Sequence, residues 1–302
     1  MTDKFIELIS DREKRFYFIQ RRGLLDWIND KTYLKLLYKS CTGEKLDIEN
    51  PVTLNEKLQY LKLYDRKKIY SRMVDKYEVK KYVSKVIDDS IVVPNYGVWT
   101  HFDEIDFEKL PERFVLKTTH DSGSPFIILN KNRINKKDLK RKISSRLHKN
   151  YYYVAREWPY KNVKPRIIAE QFLDCGKMPF VDYKFYCYGG EPRYFMYSLG
   201  EADHNVRNHK FDMDGKSIDY LFKKEETVKK NEIILPENLN DMITMVKILC
   251  KNMQHVRIDL YNINGRIYFG EITFYSGGGF IHIDSKEYAD YLASLIDLKD
   301  LS

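Results

Sequence analysis

The chain has 302 residues, 52 Lys and Arg against 44 Asp and Glu, a formal charge of +8, and 43% hydrophobic residues. That apolar share is the globular norm and argues against a disordered chain. No apolar run approaches the roughly 18–20 residues that span a bilayer as a helix, and four scattered cysteines without a C-x-x-C pair argue against a zinc finger or a disulfide framework.

At about 150 residues per domain, this length predicts two lobes or one large domain. The first residues (MTDKFIELISDREKRF) are charged throughout and lack the apolar core of a signal peptide, so a reducing cytoplasm is expected. Residues 15–38 mix basic and aromatic side chains. Such a stretch either lies on the inner face of the cell membrane or forms an ordinary helix pair packed on its own protein. The 24 tyrosines and the positive balance invite a nucleic-acid reading. Acid is interleaved with base almost everywhere, however, and only short runs such as NKKDLKRK (135–142) are locally basic. A solvated helix face accounts for these runs. No nucleic-acid partner is expected, while small anions such as nucleotides remain plausible partners.

In chain order, residues 1–65 read as a mainly helical region with a loop at Asn50-Pro51. A helix follows, with Tyr70, Met73, Val74 and Tyr77 at helical spacing. Residues 91–94 read as a short strand, and 113–119 and 126–129 as strands flanking a DSGSP turn. Residues 135–149 read as a helix. Strands are expected at 166–173, 182–188 and, after the Gly189-Gly190 turn, 191–199. Residues 241–253 form an amphipathic helix, with Met242, Ile243, Val246, Leu249, Cys250 and Met253 on one stripe. A last hairpin runs from 256–261 through Asn264-Gly265 to 266–274. Hairpins interleaved with helices predict an α+β architecture, not an alternating parallel sheet.

That last hairpin carries the sharpest chemistry. Arg257, Asp259 and Tyr261 face one way in the first strand; Ile267, Phe269, Glu271 and Thr273 share a face in the second. A two-residue turn would pair 259 with 270 and point the two acids apart. A three-residue loop would pair 257 with 271 and 259 with 269, gathering both acids and Arg257 on one face. Two carboxylates beside an arginine suit either a Mg-nucleotide, since Mg²⁺ takes one or two carboxylates plus phosphate oxygens, or a solvated ion pair. Upstream, Lys117 ends a strand just before Ser122-Gly123-Ser124. A small-residue loop and a lysine can cradle phosphate, or be a plain hairpin. Neither a Walker A loop nor G-x-G-x-x-G occurs.

The order of these pieces resembles the ATP-grasp superfamily of carboxylate–amine ligases: Asp75-Lys76 with Lys80, Val93-Pro94, Lys117, the small-residue loop, Glu170-Gln171-Phe172-Leu173, Asp182-Tyr183-Lys184, Arg257-Ile258-Asp259 and Gly270-Glu271-Ile272-Thr273. More narrowly it resembles the TupA-like ATP-grasp proteins of bacterial polysaccharide and teichuronopeptide gene clusters. The supporting phrases include TLNEKLQYLKLYDR, NYYYVAREWPYKNVKPRIIAEQFL and VRIDLYNINGRIYFGEITFY, and the likeness runs from about Leu34 to Tyr275.

The resemblance implies two α+β lobes clasping ATP, about 66–173 and 174–302, behind the helical 1–65. It implies ATP and Mg²⁺ as cofactors, and a carboxylate and an amine as co-substrates. Lys80 and Lys117 match the phosphate lysines, and Ser122, Gly123 and Ser124 the loop covering the phosphates. Glu170, Gln171, Phe172 and Leu173 match the hinge against the adenine, and Asp182 an acid near the ribose. Lys184 falls near substrate or phosphate, and Arg257 matches the arginine that steadies an acyl-phosphate. Asp259 and Glu271 match the Mg²⁺ ligands, with Thr273 where relatives often carry Asn. Arg207, Asn208 and Lys210 lie loosely where some relatives add a phosphate contact. The activity implied is amide formation through an acyl-phosphate, on a surface-polysaccharide precursor.

Two rivals remain from the residues themselves. Asp212-Met213-Asp214 is a D-x-D, which can hold the metal–nucleotide-sugar of a glycosyltransferase, although Asp214-Gly215 is also a turn signal. A non-catalytic polyanion-binding module is the other. In the segment YYYVAREWPY (151–160), most residues read as core, with Arg156 and Glu157 unassigned.

Overall fold

The structure, a computed structural model, describes residues 11–123, 125–200, 205–223, 227–299 and 301. Three helices lead: α1 (Arg12–Gln20), α2 (Asp30–Thr42) and α3 (Leu54–Tyr64). Each starts on a side-chain cap. Asp11, Asn29 and Thr53 accept from the backbone N–H three residues on, and Thr53 with Glu56 closes a capping box.

The single helix expected through residues 70–77 is two, α4 (Lys68–Val74) and α5 (Glu78–Val86). Asp75 makes the break. Its carboxylate accepts from the backbone N–H groups of Tyr77 and Glu78, and pairs with Arg166 at 2.6 Å. A short acidic side chain that bonds local backbone starts a helix more readily than it continues one. The strand expected at 91–94 is absent. A 3₁₀ turn, Asp89–Ile91, precedes it, and Val92 makes only an isolated bridge to Phe269. Pro94 has no N–H for a ladder, and pairing begins at the next residue.

The first sheet holds β1 (Asn95–Trp99), β2 (Phe114–Thr118), β3 (Phe126–Ile128) and β4 (Ile167–Gln171), in the order β1-β4-β2-β3, all antiparallel. Helix α6 (Lys136–Leu147) packs Leu139 and Ile143 against Phe114, Leu116, Ile167 and Ala169. In β2, Phe114, Leu116 and Thr118 are buried on that side, while Val115 and Lys117 face the other way. A short helix, α7 (Tyr152–Ala155), links α6 to β4.

The second sheet holds β5 (Val181–Tyr188), β6 (Glu191–Leu199), β7 (Arg207–Asp212), β8 (His255–Ile263) and β9 (Arg266–Thr273), in the order β7-β6-β5-β8-β9. Helix α8 (Leu239–Cys250) lies on β6 and β8, and α9 (Lys286–Ser294) on α3. Central β5 is buried at all eight positions, because both faces are covered. Helices α4 and α5 give Tyr70, Met73, Val74, Val79 and Val83 to this same core, so residues 68–86 pack with the second sheet before the first begins.

The β8–β9 register solves the problem of the two acids differently from either sequence alternative. Asn264 (φ 52°) and Gly265 (φ 83°) form a two-residue turn that pairs Ile263 with Arg266. Continued unchanged, that register would set Asp259 opposite Gly270. Instead the ladder slips by one between Asp259 and Leu260: Leu260 pairs with Phe269, Asp259 with Glu271 and Arg257 with Thr273. Gly270 is the extra residue of a β-bulge. A Cβ there would lie 2.9 Å from the Tyr261 ring and 3.0 Å from the Asp259 carbonyl oxygen. The bulge therefore brings both acids to one face.

Candidate active site

A cavity of about 430 Å³ opens between the two sheets. Lys117, Ser122, Gly123, Glu170, Gln171, Phe172, Leu173, Asp182, Lys184, Asp259 and Glu271, all singled out from sequence, line it. Lys80 stands just behind. Ser124 lies outside the described residues. Arg257 and Thr273 line a second, adjoining cavity of about 870 Å³, which shares Ser122 and Glu271 with the first.

On the first-sheet side, Glu170 is gripped by two lysines, Lys80 and Lys117, each with its Nζ 2.6 Å from a different carboxylate oxygen. β4 and β2 pair Val115 with Glu170, placing Glu170 and Lys117 on neighbouring strands, while α5 delivers Lys80. Burial pushes the Glu170 carboxyl up, but Lys117 and Lys80 outweigh it and hold it at about 2. Burial also pulls the Lys80 ammonium below its ordinary value, against the attraction of Glu170. Two ammonium groups, Lys80 buried and Lys117 half-buried, on one carboxylate leave a net positive charge at the cavity wall.

On the second-sheet side, Arg257 holds Asp259 bidentately, Nε to Oδ1 at 2.7 Å and Nη2 to Oδ2 at 2.6 Å, and reaches Glu271 at 2.7 Å. Thr273 donates to Glu271 at 3.1 Å. Lys184 pairs with Asp182 and lies 3.6 Å from Asp259. Burial raises the Asp259 carboxyl, opposed by Arg257 and Lys184. Burial likewise raises Asp182, whose Oδ1 is buried without a hydrogen-bond partner. For Glu271, Lys76, Arg257 and Lys184 outweigh burial and hold it at about 2.

The donor set fits Mg²⁺ bound with a nucleotide. Asp259 and Glu271 are directly opposed oxygen donors beside the orphaned oxygen of Asp182, with Thr273 adjoining. Among the described residues, no group of three or more His, Cys, Asp or Glu forms an all-protein metal cage. Mg²⁺ characteristically completes its shell with phosphate oxygens and water.

Two residues of this site carried no sequence assignment of their own. Lys76 lines the cleft, 3.6 Å from Glu271, and donates to the Asp121 carbonyl. The break at Asp75 aims it there. Glu157 lines the larger cavity, whereas its neighbour Arg156 is structural. Arg156 is 1% exposed, donates from Nη2 to the carbonyls of Leu25, Asp26 and Ile28, and lies over the Tyr33 ring. Of the aromatic segment, Tyr152, Ala155 and Tyr160 are core, as expected for most of it; Tyr160 and Ala155 also line the larger cavity, with Tyr151 and Tyr153.

Arg207, Asn208 and Lys210 do not join the cleft. They sit on β7, Arg207 pairing with Glu232 at 2.7 Å, and Lys210 lining a separate small cavity with Asn208. The D-x-D is a hairpin turn. Asp212 Oδ1 accepts from the backbone N–H groups of Asp214 and Lys216, and Gly215 takes φ 77°.

The sequence model described as TupA-like ATPgrasp matches residues 56–297. No functionally curated protein matches the chain. Solved structures with similarity include the D-alanine–D-alanine ligase of Bacillus anthracis complexed with ATP, at 15% identity and TM-score 0.39, over 67% of this chain and 55% of that one. The D-alanine–D-alanine ligase of Helicobacter pylori follows at 14% identity and TM-score 0.44, over 81% and 69%. A RimK-domain ATP-grasp protein of Sphaerobacter thermophilus matches at 10% and TM-score 0.41, over 77% and 70%. The chain thus spans about half the length of the first of these structures.

Proposed function

The chain belongs to the TupA-like ATP-grasp family, and from that premise we propose that it is an ATP- and Mg²⁺-dependent ligase joining a carboxylate to an amine. The observation that carries this reading is the pair of facing clusters. A doubly lysine-bound carboxylate on one sheet confronts an arginine-bound acid pair on the other, across a cleft continuous with a second cavity.

In this reading Lys80 and Lys117 contact the nucleotide phosphates, with the loop residues Ser122 and Gly123 beside them. Glu170 to Leu173 contact the adenine and Asp182 the ribose. Asp259, Glu271 and Thr273 hold Mg²⁺, which neutralises phosphate charge and aligns the nucleotide. A carboxylate is a poor electrophile; accepting the γ-phosphoryl group makes it an acyl-phosphate with a good leaving group. Phosphoryl transfer needs mainly alignment and charge neutralisation, and Lys184 and Arg257 supply fixed positive charge at the transferring end. No nucleophilic Ser or Cys is needed.

The resemblance to polysaccharide-cluster proteins suggests an amino acid or uronic acid of a cell-surface polysaccharide precursor as the carboxylate partner, handled in the cytoplasm. Phe18, Leu24 and Trp27 are exposed, Trp27 at 84%, beside exposed Arg21 and Arg22. That combination suits peripheral contact with an anionic membrane face. Among the described residues no helix is long and apolar enough to cross a membrane.

The test is ADP release from Mg-ATP over a panel of amino acids and uronic acids with primary amines. Release should depend on both co-substrates and vanish in folded Lys117→Ala and Glu271→Gln. Wild-type turnover in both variants would remove the site assignment.

A further inference from the structure

The 870 Å³ cavity holds a buried carboxylate that the ligase reading leaves without a role. Glu157 is 2% exposed and lines this cavity with Arg257 and Glu271. Lys62 is the nearby buried cation, but its three N–H groups are spent. They go to Gln59 Oε1 at 2.8 Å, the Ala155 carbonyl at 3.0 Å and the Gly278 carbonyl at 2.5 Å. An ammonium has three donors and no more. Among the described residues, neither a hydrogen bond nor an ion pair closes on the Glu157 carboxylate. Burial pushes its carboxyl up to about 7, with Lys62 and Arg257 opposing.

A buried carboxylate without a donor is costly. The Glu157 oxygens are not among the sealed, unpartnered polar atoms of the described residues, so they open into the cavity they line. Here the partner must arrive from the cavity. The walls say what it is. Tyr151 and Tyr160 meet edge to face with centroids 4.9 Å apart, and Tyr275 joins them in lining the cavity. Aromatic faces around a carboxylate recognise an ammonium group.

The geometry points to Glu157 as the catalytic residue that receives the acceptor's primary ammonium and takes one of its protons, with the tyrosine-walled cavity as the acceptor-amine subsite. The inference rests on the ligase reading. R–NH₃⁺ gives one proton to the Glu157 carboxylate. The freed lone pair forms the C–N bond to the acyl carbon, the carbon–oxygen bond to phosphate breaks, and phosphate leaves with that electron pair. The second surplus N–H proton leaves with the phosphate. Glu271 and Ser122 line both cavities, so the amine enters from the side opposite the nucleotide.

The test compares two nucleophiles on the full chain with Mg-ATP and the panel of amino acids and uronic acids. Hydroxylamine is mostly unprotonated at neutral pH and needs no base; primary amines (ethanolamine, alanine, lysine, glucosamine) arrive protonated. Glu157→Gln should keep hydroxamate formation within about twofold of wild type. It should lose about 100-fold or more of amide formation, the range of a general base. Amide formation within tenfold of wild type, or parallel loss of hydroxamate, overturns the assignment. So does a wild type that makes hydroxamate but couples none of the amines. A wild type that makes no hydroxamate from any carboxylate removes the ligase reading, and this inference with it. If Glu157→Gln fails to fold, Glu157→Asp retracts the same charge and should lower amide formation at least tenfold with hydroxamate unchanged; unchanged amide formation overturns it.

Discussion

Glu170→Gln probes the lysine clamp most sharply. The wild-type carboxylate lies 2.6 Å from both Lys80 and Lys117, with its side chain 6% exposed. Holding the carboxyl at about 2 against an ordinary 4.5 corresponds to about 3 kcal/mol of preference for the ionised form. Gln keeps the shape and removes the charge, leaving buried Lys80 and half-buried Lys117 to repel each other. Breaking a buried ion pair this way costs about 3–5 kcal/mol, or a melting temperature lower by roughly 6–15 °C. Urea and thermal unfolding without nucleotide would measure it. The folded-state value is depressed, so the contribution is present above pH 4.5 and is lost as pH falls toward 2. The variant should lack that acid-dependent loss. A cost under about 1 kcal/mol at neutral pH would refute the clamp.

Four further outcomes follow from the same geometry. Glu157 has a raised carboxyl, so its contribution favours the fold below about pH 4.5 and is lost as pH rises through about 7. Glu157→Gln should therefore match wild type at pH 4 and exceed it by up to about 3 kcal/mol at pH 8; equal stability at both pH values contradicts an unpaired carboxylate. Gly270→Ala places a methyl group 2.9 Å from the Tyr261 ring, which should cost about 1–3 kcal/mol and weaken Mg-ATP binding by displacing Glu271; unchanged melting and binding would show the bulge to be dispensable. Arg156→Ala strips three carbonyls of their donor and should cost about 2–4 kcal/mol, with hydrogen exchange rising in α1 and α2 while Mg-ATP affinity holds. Arg257→Lys keeps one charge but cannot span Asp259 and Glu271 together, so ADP release should fall at least 100-fold; near-normal turnover would release Arg257 from the site.

The sequence made the local elements legible wherever a periodicity or a turn signal was strong. The amphipathic stripe of α8, the Asn264-Gly265 turn and the paired strands around Gly189-Gly190 all stand where pattern placed them. It failed where one side chain redirected the backbone. Asp75 carries no mark distinguishing a helix interior from a helix start, yet it splits the helix and aims Lys76 into the cleft. The bulge at Gly270 was hidden for a similar reason: a lone strand glycine says that something approaches closely, not that the register slips. The acids were gathered on one face by that slip, not by a longer turn. Glu157 was hidden by composition, since an aromatic run reads as core whether its one acid is paired or waits in a cavity. The last hairpin gave the sharpest chemical signal, because Arg257, Asp259 and Glu271 interrupt strands that are otherwise largely apolar, whereas the burial of Asp182 and Lys184 on β5 shows only in the fold.

The ligase reading stands or falls on Mg-ATP binding in the cleft between the sheets through both clusters. A thermal-shift titration with Mg-ATP, set against Mg-nucleotide-sugars, measures that binding. Wild type should show a concentration-dependent rise with Mg-ATP alone, lost in Lys117→Ala and in Glu271→Gln. Stabilisation only by a nucleotide-sugar, or an undiminished Mg-ATP shift in both variants, would contradict it.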